Sequence, residues 1–418
     1  MTPEIKHRIE KIRRGEVPEG YVKKRKVVIP QQWGLPQIKD IASISSGSTP
    51  NRNNSEYWNG NIAWVTTGEL SSGHVNHTSE LITVKAVKET KMRIYPQGTL
   101  LMAMYGQGKT RGTVAILEID AAVNQACAAI TVKDGESKFL FYQLKNSYQD
   151  IRKLSNTGNQ ENLNADIIKT YQVPWAPDEE QERISTILTT QDKVIKLKEK
   201  RLAEKQRQKK YLVQQLLTGK KRLPRFSGEW KANRLRNITA RHTKRNTIGN
   251  TNVLTISAQY GLINQAEFFS KAVASDDKSN YFLLEKGDLA YNKSYSNGYP
   301  FGAIKRLTRY EVGIVSPLYI CFRIKEGSVS GEYLEQYFEA GLMNHEIQAF
   351  AQEGARNHGL LNIAVDDFFN LKILLPSPEE QAAIAEVLST ADREIELLQQ
   401  DIEQEKQKKK ALMQLLLT

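Results

Sequence analysis

The chain repeats itself. Two stretches match at a constant offset of 200 residues: Pro177-Asp178-Glu179-Glu180-Gln181 answers Ser377-Pro378-Glu379-Glu380-Gln381. Identical pairs follow at Ile184/Ile384, Leu188/Leu388, Thr190/Thr390, Asp192/Asp392, Ile195/Ile395 and Leu197/Leu397, and resume at seven places from Lys209/Lys409 to Thr218/Thr418. Sixteen identities in forty ungapped positions mark a duplication. A repeat constrains the fold more than any local pattern, because what one copy becomes the other must also become.

Both copies read as long helices. Apolar residues recur in the alternating 4-3 spacing of a coiled-coil seam: Ile184, Leu188, Ile195, Leu202, Leu212 and Leu216, then Ile384, Leu388, Ile395, Leu398, Ile402, Leu412 and Leu416. Neither has an internal Pro or Gly, and each begins after a Pro with acidic residues in the first turn, which suits the helix dipole. Charge pairs the copies with each other. Residues 193–225 hold 13 basic and two acidic side chains, whereas 378–418 hold nine acidic and five basic. Opposite signs favour heterotypic over self-pairing. About 40 residues at 1.5 Å each make a rod ~60 Å long.

The segments before the helices repeat more loosely. Trp33 and Trp230 open them; Gly98-Thr99-Leu100-Leu101-Met102 resembles Gly287-Asp288-Leu289-Ala290-Tyr291; Leu163-Asn164 and Leu361-Asn362 precede the closing apolar runs. Strand-like runs broken by Gly, Asn and Ser predict irregular, mixed α/β domains. The expected order is a basic N-terminal arm (1–30), a first domain (31–176), a spacer helix (177–218), a linker (219–229), a second domain (230–376) and a second spacer helix (377–418).

With 59 Lys+Arg against 47 Asp+Glu, the formal charge is +12, which favours polyanions and above all nucleic acid. The two cysteines lie in separate strand-like runs and are expected to be buried thiols. No apolar run reaches the ~18–20 residues of a membrane span, and the charged start argues against a signal peptide, so a cytoplasmic location is expected. Catalytic signatures fail on inspection. The segment from Ala103 to Thr110 nearly spells a phosphate-binding loop, but its first glycine is Ala103 and a strand, not a helix, should follow. Glu89-Thr90-Lys91 has the acid-x-lysine spacing of a nuclease without the upstream Pro-Asp, and no methyltransferase motif occurs. His74 and His77 are the only close histidine pair, and they lack further ligands for a metal.

The whole pattern resembles the specificity subunit of type I restriction–modification enzymes. The first domain carries Ser46-Gly47-Ser48-Thr49-Pro50, then Tyr57-Trp58-Asn59-Gly60-Asn61-Ile62-Ala63-Trp64, and later Val123-Asn124-Gln125-Ala126. These are similar to the family's Gly-x-Thr-Pro, Tyr-Trp-x-Gly-x-Ile-x-Trp and Asn-Gln segments. The helix starts, Pro-x-Glu-Glu-Gln in the first copy and Pro-Glu-Glu-Gln in the second, and the Leu-Leu-Thr-Gly at 216–219 fit too; the second domain has neither of the first two segments. The resemblance implies a non-catalytic subunit for double-stranded DNA, with two target recognition domains reading a bipartite, asymmetric target. It implies antiparallel helices with pseudo-two-fold symmetry that dock two adenine methyltransferase subunits, with restriction subunits joining the complex. S-adenosylmethionine, ATP and Mg then belong to the partners, and this chain binds no cofactor. The rival readings are a fused restriction–modification enzyme and a coiled-coil scaffold without DNA specificity.

Loops that mix Arg or Lys with Asn, Gln, Ser or Thr suit contacts to phosphates and base edges. In the first domain these are Thr66 and Thr67; Tyr105, Gln107, Lys109, Thr110 and Arg111; and Asn159 and Gln160. In the second they are Asn292, Lys293, Ser294, Tyr295 and Asn297, with Arg356, Asn357 and His358.

Overall fold

The computed structural model describes residues 3–106, 108–154, 162–257, 260–268, 278–296, 298–353 and 361–417. Two compact units emerge, one of residues 1–199 with 400–418, the other of residues 200–399. Each therefore contains part of both long helices, the first spanning Asp178–Leu216 and the second Pro378–Leu416.

The first unit is built on a five-stranded sheet in the order Ala42–Ser46, Cys127–Val132, Leu100–Ala103, Val114–Leu117, His74–Val75. All neighbours are antiparallel except the last pair. The two strands Leu100–Ala103 and Val114–Leu117 are buried throughout, as their unbroken apolar runs require. A three-stranded sheet of Glu80–Ile82, Trp58–Val65 and Ala121–Val123 adjoins it, its last pair parallel. Helices Ser137–Asn146 and Ala165–Thr170 cover the main sheet around Trp33, Phe139, Tyr142 and Ile168.

The second unit repeats the central order with different residues: Thr239–Arg241, Ile320–Ile324, Leu289–Asn292, Ala303–Arg306, all antiparallel. Its counterpart of the parallel contact is the bridge Val253–Ile314, and helices Gly331–Glu339 and Val365–Asn370 cover the sheet. The central four-strand order is thus reached without the segments missing from this domain's sequence, whereas the fifth strand and the three-stranded sheet of the first unit are not repeated among the described residues.

The duplicated helix start does the same job twice. Gln181 is wholly buried, its Nε2 donates to the Ala176 carbonyl at 2.7 Å, and its Oε1 accepts from the Glu136 amide at 3.0 Å. Gln381 donates to the Pro376 carbonyl at 3.0 Å and accepts from the Ser330 amide at 2.9 Å. Glu136 and Ser330 cap the equivalent helices of the two units, so a side chain with both a donor and an acceptor locks each long helix to its domain. The preceding acid differs: Glu180 accepts from the Trp33 indole at 2.9 Å, whereas Glu380 is held by both Arg222 nitrogens at 2.6 Å.

Within each unit the two long helices run antiparallel. In the first, Lys409 pairs with Asp192, Lys198 donates to Asp401 and Glu405 at 2.8 Å each, and Lys406 lies 2.7 Å from Glu199. In the second, Lys209 pairs with Asp392, and Lys205 lies 2.6 Å from Glu394. The duplicated aspartates also reach their own domains: the Tyr142 hydroxyl donates to Asp192 and the Gln336 amide to Asp392, both at 2.8 Å. Tyr142 and Gln336 each lie six residues after their helix cap.

The apolar ends of the helices close the cores. Ile184, Leu188 and Leu417 belong to the first core, and Leu216, Leu217, Ile384 and Leu388 to the second. Truncating Leu188, which is fully buried, should cost ~2–5 kcal/mol. Lys406→Ala, which removes an exposed pair, should cost no more than ~1 kcal/mol. Denaturant titration of both variants distinguishes them. The Lys198 ammonium, then the Gln191 amide, hold the Glu405 carboxyl down at about 2. Its stabilising effect is complete above the ordinary glutamate range and is lost as pH falls through about 2. Glu405→Gln should therefore show a smaller fall in melting temperature between pH 5 and pH 2 than the parent chain.

Candidate nucleic-acid interface

The two hairpin loops singled out from sequence prove equivalent. One joins Leu100–Ala103 to Val114–Leu117, the other joins Leu289–Asn292 to Ala303–Arg306, and these are the matching central strands of the two sheets. Both loops end on glycine in the left-handed region, Gly112 at φ 81° and Gly302 at φ 80°. A Cβ on Gly302 would lie 2.2 Å from the Asn292 carbonyl oxygen, so the return into the strand leaves no room for a side chain.

A second chain segment is stitched to the start of each loop. The Leu163 amide donates to the Met104 carbonyl at 3.0 Å, and the Leu361 amide to the Lys293 carbonyl at 3.1 Å. The flank of 155–161 is thus joined to the 104–113 loop, and the flank of 354–360 to the 293–302 loop. Asn159, Gln160, Arg356, Asn357 and His358 themselves lie outside the described residues, as do Gln107 and Asn297.

Tyr105 is 40% exposed and Lys109 is exposed, with Thr110 half-buried beside them. The loop is braced from within, since the Tyr148 hydroxyl donates to the Lys109 carbonyl at 2.7 Å and Arg152 donates to the Arg111 carbonyl at 2.8 Å. Arg111, at the end of the same loop, is only 8% exposed. Thr66 also serves the fold. It caps the short 3-10 helix Thr67–Ser72, and both its amide and hydroxyl donate to Glu69, at 2.6 and 3.2 Å. Thr67 is half-buried in the same turn.

In the second loop the Asn292 side chain accepts from the Ser294 amide at 3.1 Å and opens the turn. Lys293 and Ser294 are half-buried, and burial holds the Lys293 ammonium below the ordinary lysine range. Tyr295 is 63% exposed. Beneath the loop, Lys305 is paired with Glu339, which also accepts from the Tyr299 hydroxyl.

The family-like segments of the first domain turn out to hold the fold together. A Cβ on Gly47 would fall 1.7 Å from the Val123 carbonyl oxygen, and the Ser48 amide donates to that oxygen at 3.0 Å. The Trp64 indole donates to the Ser48 carbonyl at 3.1 Å, the Asn124 amide to the Val65 carbonyl at 3.0 Å, and Thr49 hydrogen-bonds Gln125. Arg52, which sequence reasoning passed over, lies over the Trp58 ring at 4.2 Å while pairing with Glu80. Its signal was position, two residues past the Thr-Pro step and six before Trp58.

Other chemistry reads differently in three dimensions. The chain after Gly108-Lys109-Thr110 returns as an antiparallel strand and does not open a helix. Glu89 accepts from the Tyr57 hydroxyl at 2.6 Å. Among the described residues there is no group of three or more His, Cys, Asp or Glu fit to hold a metal, and no helix is long and apolar enough to cross a membrane. Cys127 and Cys321 are free and buried, and burial pushes both thiols up to about 12.

Known proteins share this architecture. The family model described as the type I restriction modification DNA specificity domain matches twice, over residues 30–207 and 229–407. The MjaIX specificity subunit of Methanocaldococcus jannaschii is 34% identical over 178 residues, 41% of this chain and 40% of that protein's length. The MjaVIII specificity subunit of the same organism is 22% identical over 421 residues, 93% of each chain. Among solved structures, the type I restriction–modification S subunit from M. genitalium is similar with a TM-score of 0.58 at 11% identity, covering 92% of this chain and 96% of that one. A chain from a study of complex assembly and conformational transition in the type I R-M system gives 0.53 at 15%, covering 93% and 97%. Two family matches, one on each half of an internally duplicated fold, make this chain a member of the type I restriction–modification DNA specificity family.

Proposed function

We propose that the chain is the sequence-reading subunit of a type I restriction–modification complex, and that each unit reads one half of a bipartite, asymmetric target in double-stranded DNA. The observation that carries this reading is the equivalence of the two polar hairpin loops. Each leaves the same pair of central strands and is joined to the same following segment, yet they share almost no sequence. One frame with two unrelated loops suits a protein that must present two different base-reading surfaces.

On this reading the chain is non-catalytic. Two adenine methyltransferase subunits dock on it and restriction subunits complete the assembly, and those partners hold S-adenosylmethionine, ATP and Mg. The site is to be tested by selecting DNA from a random pool with the full chain and its methyltransferase partner, and by sequencing the methylome of a host that carries both. One split consensus, methylated in both halves, supports the reading. A pool without consensus favours a scaffold, and S-adenosylmethionine binding by the chain alone favours a fused enzyme.

The exposed Lys109 should matter to one half only. Lys109→Ala should cost ~1–3 kcal/mol if it makes a bidentate base contact, and relax the base preference of a single half-site. Arg111→Ala, at a buried position, should lower the melting temperature while leaving the consensus unchanged. Selection and thermal melts on both variants check this pair of outcomes.

A further inference from the structure

The N-terminal arm lies before the matched family domain, which begins at residue 30. It is nevertheless a built part of the first unit. Helix Pro3–Arg13 buries Ile9, and Arg8 lies over the Tyr21 ring at 5.7 Å. Strands Tyr21–Lys24 and Val27–Pro30 form an antiparallel hairpin whose Val28 and Ile29 are buried. Four consecutive cations, Lys23, Lys24, Arg25 and Lys26, make its tip.

Several exposed cations of this unit are neutralised, as in Arg52–Glu80, Lys85–Glu56 and Lys169–Asp166. The tip differs. Lys24 donates to the Trp33 carbonyl at 2.7 Å, and Arg25 donates to the Gln172 side-chain oxygen at 2.9 Å. Both acceptors are neutral, so they fix where the charges sit without cancelling them. Lys23 and Lys26 are exposed, and among the described residues none of the four pairs with a carboxylate. Arg25 also has φ 55°, at the first central position of a two-residue turn that glycine or asparagine fills with less strain.

We propose that this tip is a phosphate-binding element that seats the first unit on the DNA backbone, in addition to the base-reading loop. It rests on the DNA-binding reading above. A duplex backbone is the fitting ligand. The tip offers fixed, uncompensated point charges and no pocket, which suits sequence-independent phosphate contact and counterion release.

The test uses the full chain with Lys23→Gln, Arg25→Gln and Lys26→Gln combined, and leaves Lys24 to fasten the hairpin. Binding to a labelled random duplex and to the selected target is followed through a potassium chloride titration. The slope of log affinity against log salt should fall by about two to three, since each lost phosphate contact removes about 0.9. Affinity for both duplexes should fall by the same factor, with the consensus unchanged. A Lys23→Arg, Lys26→Arg variant should keep the parent slope, which separates charge from folding. An unchanged slope overturns the proposal, as does normal DNA binding with loss of the methyltransferase partner, which would make the tip a protein contact. Absence of any sequence preference in the parent chain would sink the specificity reading instead, while the random duplex still judges the tip.

Discussion

The structure depends on helix ends that pack far from the domains that precede them in sequence. Leu417 is buried in the core that Trp33, Phe139 and Leu188 build, and Leu216 and Leu217 are buried in the core of Tyr333, Phe368 and Leu388. Each core is thus closed by the last turns of the opposite long helix. Burial of these leucines is worth more than the ion pairs above them, which remain partly exposed to solvent. The charges decide a different question, namely which helix pairs with which. Asp192 with Lys409 and Asp392 with Lys209 are the same contact made twice. Self-pairing of either helix would set like charges against each other.

The duplication was legible because helix seams leave a periodic record. Positions such as Leu188, Leu388, Asp192 and Asp392 hold equivalent places in the two copies and carry the same residues. The role of Gln181 and Gln381 was visible as a repeated letter but not as a mechanism. Their partners, Glu136 and Ser330, lie some fifty residues away and share no sequence signal. The candidate site was legible as loops and less so as residues. The equivalence of the 104–113 and 293–302 loops follows from glycines at matched strand ends. The bracing of the 104–113 loop comes from Tyr148 and Arg152, side chains on a later helix that no local pattern connects to it.

Motif and function separate in the first domain. Gly47, Trp64 and Asn124 recur in the family's pattern, yet here they join two sheets through backbone approaches too close for a Cβ and through indole and Asx hydrogen bonds. The second unit reaches the same central four-strand order without them. A recognisable segment can therefore report one solution to a packing problem, while the surface that varies carries the chemistry.

The exchange of helix ends also has a consequence in time. The second unit is a continuous stretch, residues 200–399, whereas the first needs residues 400–418 as well as 1–199. On a ribosome adding ~5–20 residues per second, the part of the chain made first must wait ~10–40 s, with Leu188 and its neighbours uncovered, for the residues that close it. The second-made unit has all its parts sooner after its own first residue emerges. Order of synthesis and order of completion are therefore inverted.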